Sequence, residues 1–127
     1  MKKILIAPNE LKGSLSARAA GEAIQRALHE VNSSLQTTVL PIADGGDGLL
    51  DSLQAHFAAE KREVSVQNPV GESITASYLY SSQNKLAIIE MAEASGLRLL
   101  ARDKFLPMQA SSFGTGQLIL DALDSGA

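Results

Sequence analysis

The first apolar run, Ile4 to Ala7 in "KKILIAP", is continuous rather than alternating. It predicts a strand over residues 2–7 that is covered on both faces, as in a parallel sheet. "NELKGSLS" follows as a loop. Ser16 is placed to cap a helix whose Ala17, Ala20, Ile24, Ala27, Leu28 and Val31 keep helical spacing. Asn32-Ser33-Ser34 ends that helix, and "QTTVLPIA" predicts a second strand. After "DGGDG", Leu49, Leu50, Leu53 and Phe57 form another helical face. Strand–helix–strand–helix with right-handed crossovers places the two post-strand loops on one edge of a parallel sheet. Open α/β sheets take their ligands on that edge.

Beyond Ala58–Arg62 the pattern changes. "EVSVQ" and "SITASYLY" alternate with period two and are joined across the turn Asn68-Pro69-Val70-Gly71. "KLAIIEMA" predicts a third strand, and "EASGL" turns out of it. "SSFGTGQLILDALDSGA" predicts a loop feeding a helix from about residue 115, with Gly126 as its C-terminal cap. The expected fold class is α/β. Residues 1–62 form the N-terminal part of a parallel, Rossmann-like domain, and residues 63–127 begin a second α/β domain. A helix finishes at the end of the chain where this pattern calls for a further strand, so the fold is expected to be incomplete in these 127 residues.

Composition narrows the function classes. The 45% hydrophobic content supports a packed core, and the net charge is −3. No basic cluster is longer than Lys61-Arg62, so no nucleic-acid or anionic-membrane footprint is present. With no cysteine, disulfides, thiolate chemistry and Cys-ligated zinc are excluded, which fits a reducing, cytoplasmic location. His29 and His56 have no partner at ligand spacing and read as solvated helix histidines. No apolar run approaches the roughly 20 residues that span a bilayer. Pro8 and Asn9 cut the N-terminal run short, making it a strand rather than a signal peptide.

Four turns carry groups that could do chemistry: 9–14, 44–48, 93–96 and 111–116. None fits a P-loop or dinucleotide fingerprint, since Gly114-Thr115-Gly116 has Ile119 where a third glycine would be needed. In Asp44-Gly45-Gly46-Asp47-Gly48, either acid could simply cap the helix that follows. The alternative is chemical. Carboxylates beside a helix start suit a Mg²⁺–nucleotide complex, or could accept a proton from a substrate hydroxyl. Lys12-Gly13-Ser14 brings a cation, a permissive backbone and a hydroxyl to the same sheet edge, a set that suits a carboxylate or phosphate. Ser111, Ser112, Gly114, Thr115 and Gly116 at another helix start suit anion binding by backbone N–H groups, or ordinary capping. Glu90 sits in an apolar stretch, where an ionised acid needs a partner, and Glu93 lies close by.

The strings "IAPNELKGSLSA", "LPIADGGDGLLDSL", "NPVGESITASY", "IIEMAEASGL" and "SSFGTGQLI", in this order and spacing, resemble the N-terminal part of the type-1 glycerate kinases. The resemblance covers nearly the whole chain. It implies ATP-dependent phosphorylation of D-glycerate, most often at the 2-hydroxyl, with ATP and Mg²⁺ required. It also implies a cytoplasmic enzyme with a Rossmann-like domain, a second inserted α/β domain and the site in the cleft between them. Asp44, Lys12 and Asp47 become the expected catalytic residues, with Asp44 and Asp47 holding Mg²⁺. The expected substrate and phosphate contacts are Gly13, Ser14, Gly45, Gly46, Glu93, Ser95, Ser112, Gly114, Thr115 and Gly116. Two departures stand out. Asn9 occupies a position where the family usually has aspartate, and the chain stops before a glycine-rich stretch that looks like part of the family's nucleotide site. The chain is therefore expected to be an N-terminal fragment, inactive alone. Competing readings are a receiver-like phosphoacceptor domain and a non-catalytic interaction fragment that forms homo-oligomers or associates through exposed core surface.

Overall fold

A strand forms where the apolar run begins. In the computed structural model, which describes every residue except Met1, Ala55, Arg102 and Lys104, β1 spans Lys3–Ile6. It pairs in parallel with β2 (Gln36–Val39), Lys3 opposite Gln36 and Ile6 opposite Val39. The crossover is α1 (Ala17–Val31). Ser16 caps it as expected, its Oγ accepting the Ala19 N–H at 3.2 Å. Asn32 closes the other end by donating its N–H to the Leu28 carbonyl at 3.0 Å.

Gly21 is buried where α1 meets the sheet. A Cβ there would fall 2.5 Å from Val39 Cγ1 and 3.3 Å from Pro8 Cγ, so the helix lies closer than any side chain would permit. Thr37 ties the same two elements, accepting from Gln25 Nε2 at 2.8 Å and lying 2.9 Å from His29 Nε2. His29 is thus bonded to β2 rather than merely solvated. One expectation fails in this unit. Ile6 is buried but Leu5 is 63% exposed, because α1 covers a single face of the two-stranded sheet. The continuous apolar run therefore does not produce a strand covered on both sides.

The chain divides into two compact units, Met1–Ser52 and Leu53–Ala127. The division falls within α2 (Leu49–Gln54). The change of pattern near residue 62 lies further on, inside β3 (Glu60–Gln67). The second unit is an antiparallel sheet of order β3-β4-β5, with β4 (Ser73–Ser81) central and β5 (Leu86–Ile88) on its far side. The β3–β4 turn is held by Asn68, whose Oδ1 accepts the Val70 and Glu72 N–H groups at 3.0 and 2.9 Å. The architecture is mixed α/β, with a parallel two-stranded sheet in one unit and an antiparallel three-stranded sheet in the other.

The third strand is shorter than "KLAIIEMA" suggests. It ends at Ile88, and α3 (Met91–Ser95) replaces the expected turn. Met-Ala-Glu-Ala are good helix formers, and Gly96 stops them after about one turn. Glu90 accordingly sits at the helix start, 2% exposed, rather than inside a strand.

The last helix, α4 (Phe113–Asp124), lies on the sheet around a core of Val66, Ala76, Tyr78, Tyr80, Ala94, Leu118 and Ala122. Polar bonds fix its register. Gln117 Oε1 accepts the Gln67 N–H at 2.8 Å, and Tyr78 OH donates to Asp121 Oδ2 at 2.8 Å. Tyr80 OH donates to the Ser125 carbonyl at 2.5 Å. The Arg62 guanidinium lies 4.1 Å above the Tyr80 ring and donates to Ser125 Oγ at 2.7 Å. Gly126, at φ +94°, donates to the Leu123 carbonyl, and Ala127 donates to that of Ala122. This paired 5→2 and 6→1 arrangement is a Schellman cap.

Gly114 decides how close α4 can come. A Cβ at that position would collide with the Gln67 carbonyl of β3, whereas one at Gly116 would meet nothing within 4 Å. Gly114→Ala should therefore destabilise the second unit by about 1–3 kcal/mol through forced overpacking. Gly116→Ala, two residues along the same helix, should stabilise it by up to about 1 kcal/mol through helix propensity. Urea denaturation of the two variants checks the opposite signs.

Candidate active site

The parallel ladder continues past the ends of β1 and β2. Leu40 N–H donates to the Ile6 carbonyl at 2.8 Å, and Ile42 N–H donates to the Pro8 carbonyl at 3.0 Å. The two chains therefore enter their loops side by side. Asn9 directly follows Pro8 and Asp44 lies two residues beyond Ile42, so the ladder brings the two loops side by side.

The first loop is built around a small turn. Leu11 and Leu15 exchange backbone hydrogen bonds of 2.9 and 3.1 Å, closing Lys12-Gly13-Ser14 into a three-residue bend. Gly13 takes φ +72°, a conformation that disfavours any side chain. Lys12 and Ser14 are exposed on that bend. Asn9 Oδ1 accepts the Glu10 N–H at 2.8 Å. Its amide nitrogen is then the end left to donate.

In the second loop, Asp44 Oδ1 accepts the Gly46 N–H at 3.1 Å. Asp44 thus caps a local turn at Gly46, and the Leu49 N–H that opens α2 bonds instead to the Gly46 carbonyl at 3.2 Å. Asp47 is half-buried and engaged in an interaction of its own. Gly45 is exposed at φ +93°. Glu10 reaches across from the first loop, its Oε2 4.0 Å from where a Cβ on Gly48 would lie.

These contacts hold the Asp44 carboxyl below its ordinary value of 3.8. The Gly46 N–H is the main cause, opposed by partial desolvation and assisted by the Asn9 side chain and the Lys12 ammonium. The first unit therefore presents Lys12, Asn9 and an ionised Asp44 on the two loops that leave the edge where its sheet ends.

Other candidates lie in the second unit. Ser95 Oγ and Thr115 Oγ1 are 2.7 Å apart and link α3 to α4. Glu93 accepts the Ser77 N–H at 3.3 Å through one oxygen and pairs with Arg98 through the other. Ser112 occupies the α4 cap position without a side-chain capping bond, while Ser111 Oγ accepts the Phe113 N–H at 3.1 Å. Gly114 is filled by its packing on β3, and Gly116 is exposed. Sequence reading marked the 9–14 turn and the asparagine at residue 9 but assigned no site role to Asn9 or Glu10. Their signal was position, since both directly follow the Pro8 carbonyl that ends the ladder.

Among the described residues no helix is long and apolar enough to cross a membrane. The family model of the glycerate kinase family matches residues 4–127. A glycerate kinase of Halalkalibacterium halodurans is 40% identical over 126 residues, which are 99% of this chain and 33% of that protein. The glycerate 2-kinase of Escherichia coli is 43% identical over 125 residues, 98% of this chain and 33% of its own length. A crystal structure from Salmonella typhimurium LT2, ascribed to a glycerate kinase 2, superposes with a TM-score of 0.71 at 38% identity, covering 98% of this chain and 33% of that one. The chain thus spans about a third of the length of the curated relatives it matches.

A carboxylate held low contributes stability above its unfolded value and loses it as pH falls through the folded one. Asp44 should accordingly titrate below 3.8 by carboxyl ¹³C NMR. In urea denaturation, the stability difference between wild type and Asp44→Asn should be full at neutral pH and should vanish below the lowered midpoint.

Proposed function

The chain belongs to the glycerate kinase family, and on that premise we propose that it supplies the substrate loops of an ATP-dependent kinase that converts D-glycerate to 2-phosphoglycerate. The observation that carries the reading is that the Lys12 and Asp44 loops leave the end of the β1–β2 ladder side by side, with Lys12 among the groups that favour the ionised form of Asp44. A small hydroxy acid offers one carboxylate and neighbouring hydroxyls. Lys12 and the Gly13–Ser14 turn suit the carboxylate, and the lone pairs of Asp44 suit a hydroxyl hydrogen.

In the proposed reaction the substrate hydroxyl oxygen attacks the γ-phosphorus of ATP. The bond from that phosphorus to the bridging oxygen breaks, ADP leaves, and the hydroxyl proton passes to the Asp44 carboxylate and from there to solvent. Such transfers depend mostly on positioning and on neutralising charge, and this loop pair can position the acceptor. Mg²⁺ neutralises the phosphate oxygens of the nucleotide in reactions of this class. Ser112, Thr115 and Gly116 at the start of α4 remain the proposed phosphate contacts of the second unit. Family membership takes the place of the receiver-like alternative.

The test is a chimera in which residues 1–127 replace the matching third of the Escherichia coli glycerate 2-kinase. It should release ADP only when ATP and D-glycerate are both present. Lys12→Ala and Asp44→Asn should each lower kcat/KM for D-glycerate by roughly 10²-fold or more, on the scale of losing a charged positioning contact. A folded chimera without glycerate-dependent ADP release would overturn the reading.

A further inference from the structure

Gly114, Leu118 and Ala122 form the buried side of α4. The opposite side of the helix is apolar as well. Phe113, Leu120 and Leu123 recur there at helical spacing and are 58%, 59% and 60% exposed, with Ile119 beside them at 46%. The polar residues Gln117 and Asp121 lie between the two stripes and are bonded to Gln67 and Tyr78. A surface helix ordinarily sets charged or polar groups opposite its buried stripe, and a helix that is apolar on both sides belongs to an interior. The outer stripe of α4 is therefore a surface that asks for cover.

Three occupants can be weighed. An anionic lipid surface calls for Lys or Arg flanking the apolar residues, and Phe113–Asp124 contains neither, only the acids Asp121 and Asp124. A second copy would pair this one stripe with itself. A strip of helix about 15 Å long and 10 Å wide falls well short of the roughly 800 Å² that each partner buries in a stable dimer. The third occupant is polypeptide of the same family. The matches leave about two-thirds of each curated relative outside the part this chain spans. The Salmonella typhimurium structure likewise covers 98% of this chain with 33% of its own. Met91 and Leu97 of the same unit are also exposed, which suits an occupant larger than a single helix.

We propose that the outer face of α4 is a docking surface, and that its occupant is the part of a glycerate kinase that this chain does not span. That polypeptide seats on Leu120 and Leu123, with Phe113 and Ile119 at the ends and margin of the contact. Leu118 and Ala122 hold α4 to its own sheet, so one helix joins two layers. The inference rests on family membership and on the apolar stripe, and is independent of the substrate loops of the first unit.

The chain contains no cysteine, so a single introduced thiol is an unambiguous probe. Leu120→Cys reports on the stripe. Gln83→Cys, in the exposed turn between β4 and β5, is the control. Alkylation by iodoacetamide is followed by mass spectrometry of the peptide that carries each thiol. In the 127-residue chain the two sites should react at rates within about threefold of each other at every protein concentration. In the folded chimera with the Escherichia coli glycerate 2-kinase, Leu120→Cys should react at least about tenfold more slowly while Gln83→Cys is unchanged, because a covered site reacts only through local opening. Should Leu120→Cys prevent folding, carbene footprinting of the unsubstituted proteins gives the same comparison at residues 119–123. Equal reactivity or equal footprinting in the chain and the chimera would overturn the proposal. So would protection in the chain alone that grows with its concentration, since the occupant is then a second copy. Protection in a chimera without glycerate-dependent ADP release keeps the docking surface and removes the kinase reading. An active chimera with an unprotected stripe does the reverse.

Discussion

Two backbone hydrogen bonds beyond the paired strands set the geometry on which the site depends. Leu40 to Ile6 and Ile42 to Pro8 extend the β1–β2 register into the loops. Without them Asn9 and Asp44 would belong to independent loops, each of which would lose conformational entropy on meeting the other. With them, the two loops leave the sheet side by side as a consequence of strand pairing. Pro8 fits this role because it offers a carbonyl to the ladder and has no N–H to leave unpaired.

The same economy of distance holds each unit together. Gly21 lets α1 settle on Val39 and Pro8, and Gly114 lets α4 settle on the Gln67 carbonyl. In both cases the missing Cβ is a packing device at a helix–sheet contact. Around α4 the polar bonds from Tyr78, Tyr80, Arg62 and Gln117 fix register after the apolar core has fixed proximity. This division of labour follows from the physics. Burial of apolar area is strong and non-directional, while hydrogen bonds are weaker in net terms and directional.

Periodicity in the sequence was enough to place α1, its Ser16 cap, the β3–β4 hairpin and the end of α4 near Gly126, because each has a local chemical signal. Topology reasoning was enough to put the Lys12 and Asp44 loops on one edge. Other features depend on contacts distant in sequence. The "EASGL" segment carries glycine and serine that suggest a turn, yet its preceding Met-Ala-Glu-Ala wins as a helix that buries Ala94 in the core. Gly114 resembles a phosphate-loop glycine in one dimension, and only the nearness of β3 gives it its packing role. Asn9 stands out in sequence only as a departure from the family's usual aspartate, and its loop is brought beside Asp44, 35 positions away (44 − 9), by the ladder.

In the proposed reaction Lys12 and Asp44 act as one recognition unit. A double-mutant cycle on kcat/KM for D-glycerate, built from Lys12→Ala and Asp44→Asn in the chimera with Escherichia coli glycerate 2-kinase, tests that most directly. The account predicts strong non-additivity, with the double variant little worse than either single one, as for residues that work as a unit. Free-energy losses that simply add, or a D-glycerate kcat/KM indifferent to both changes, would contradict it.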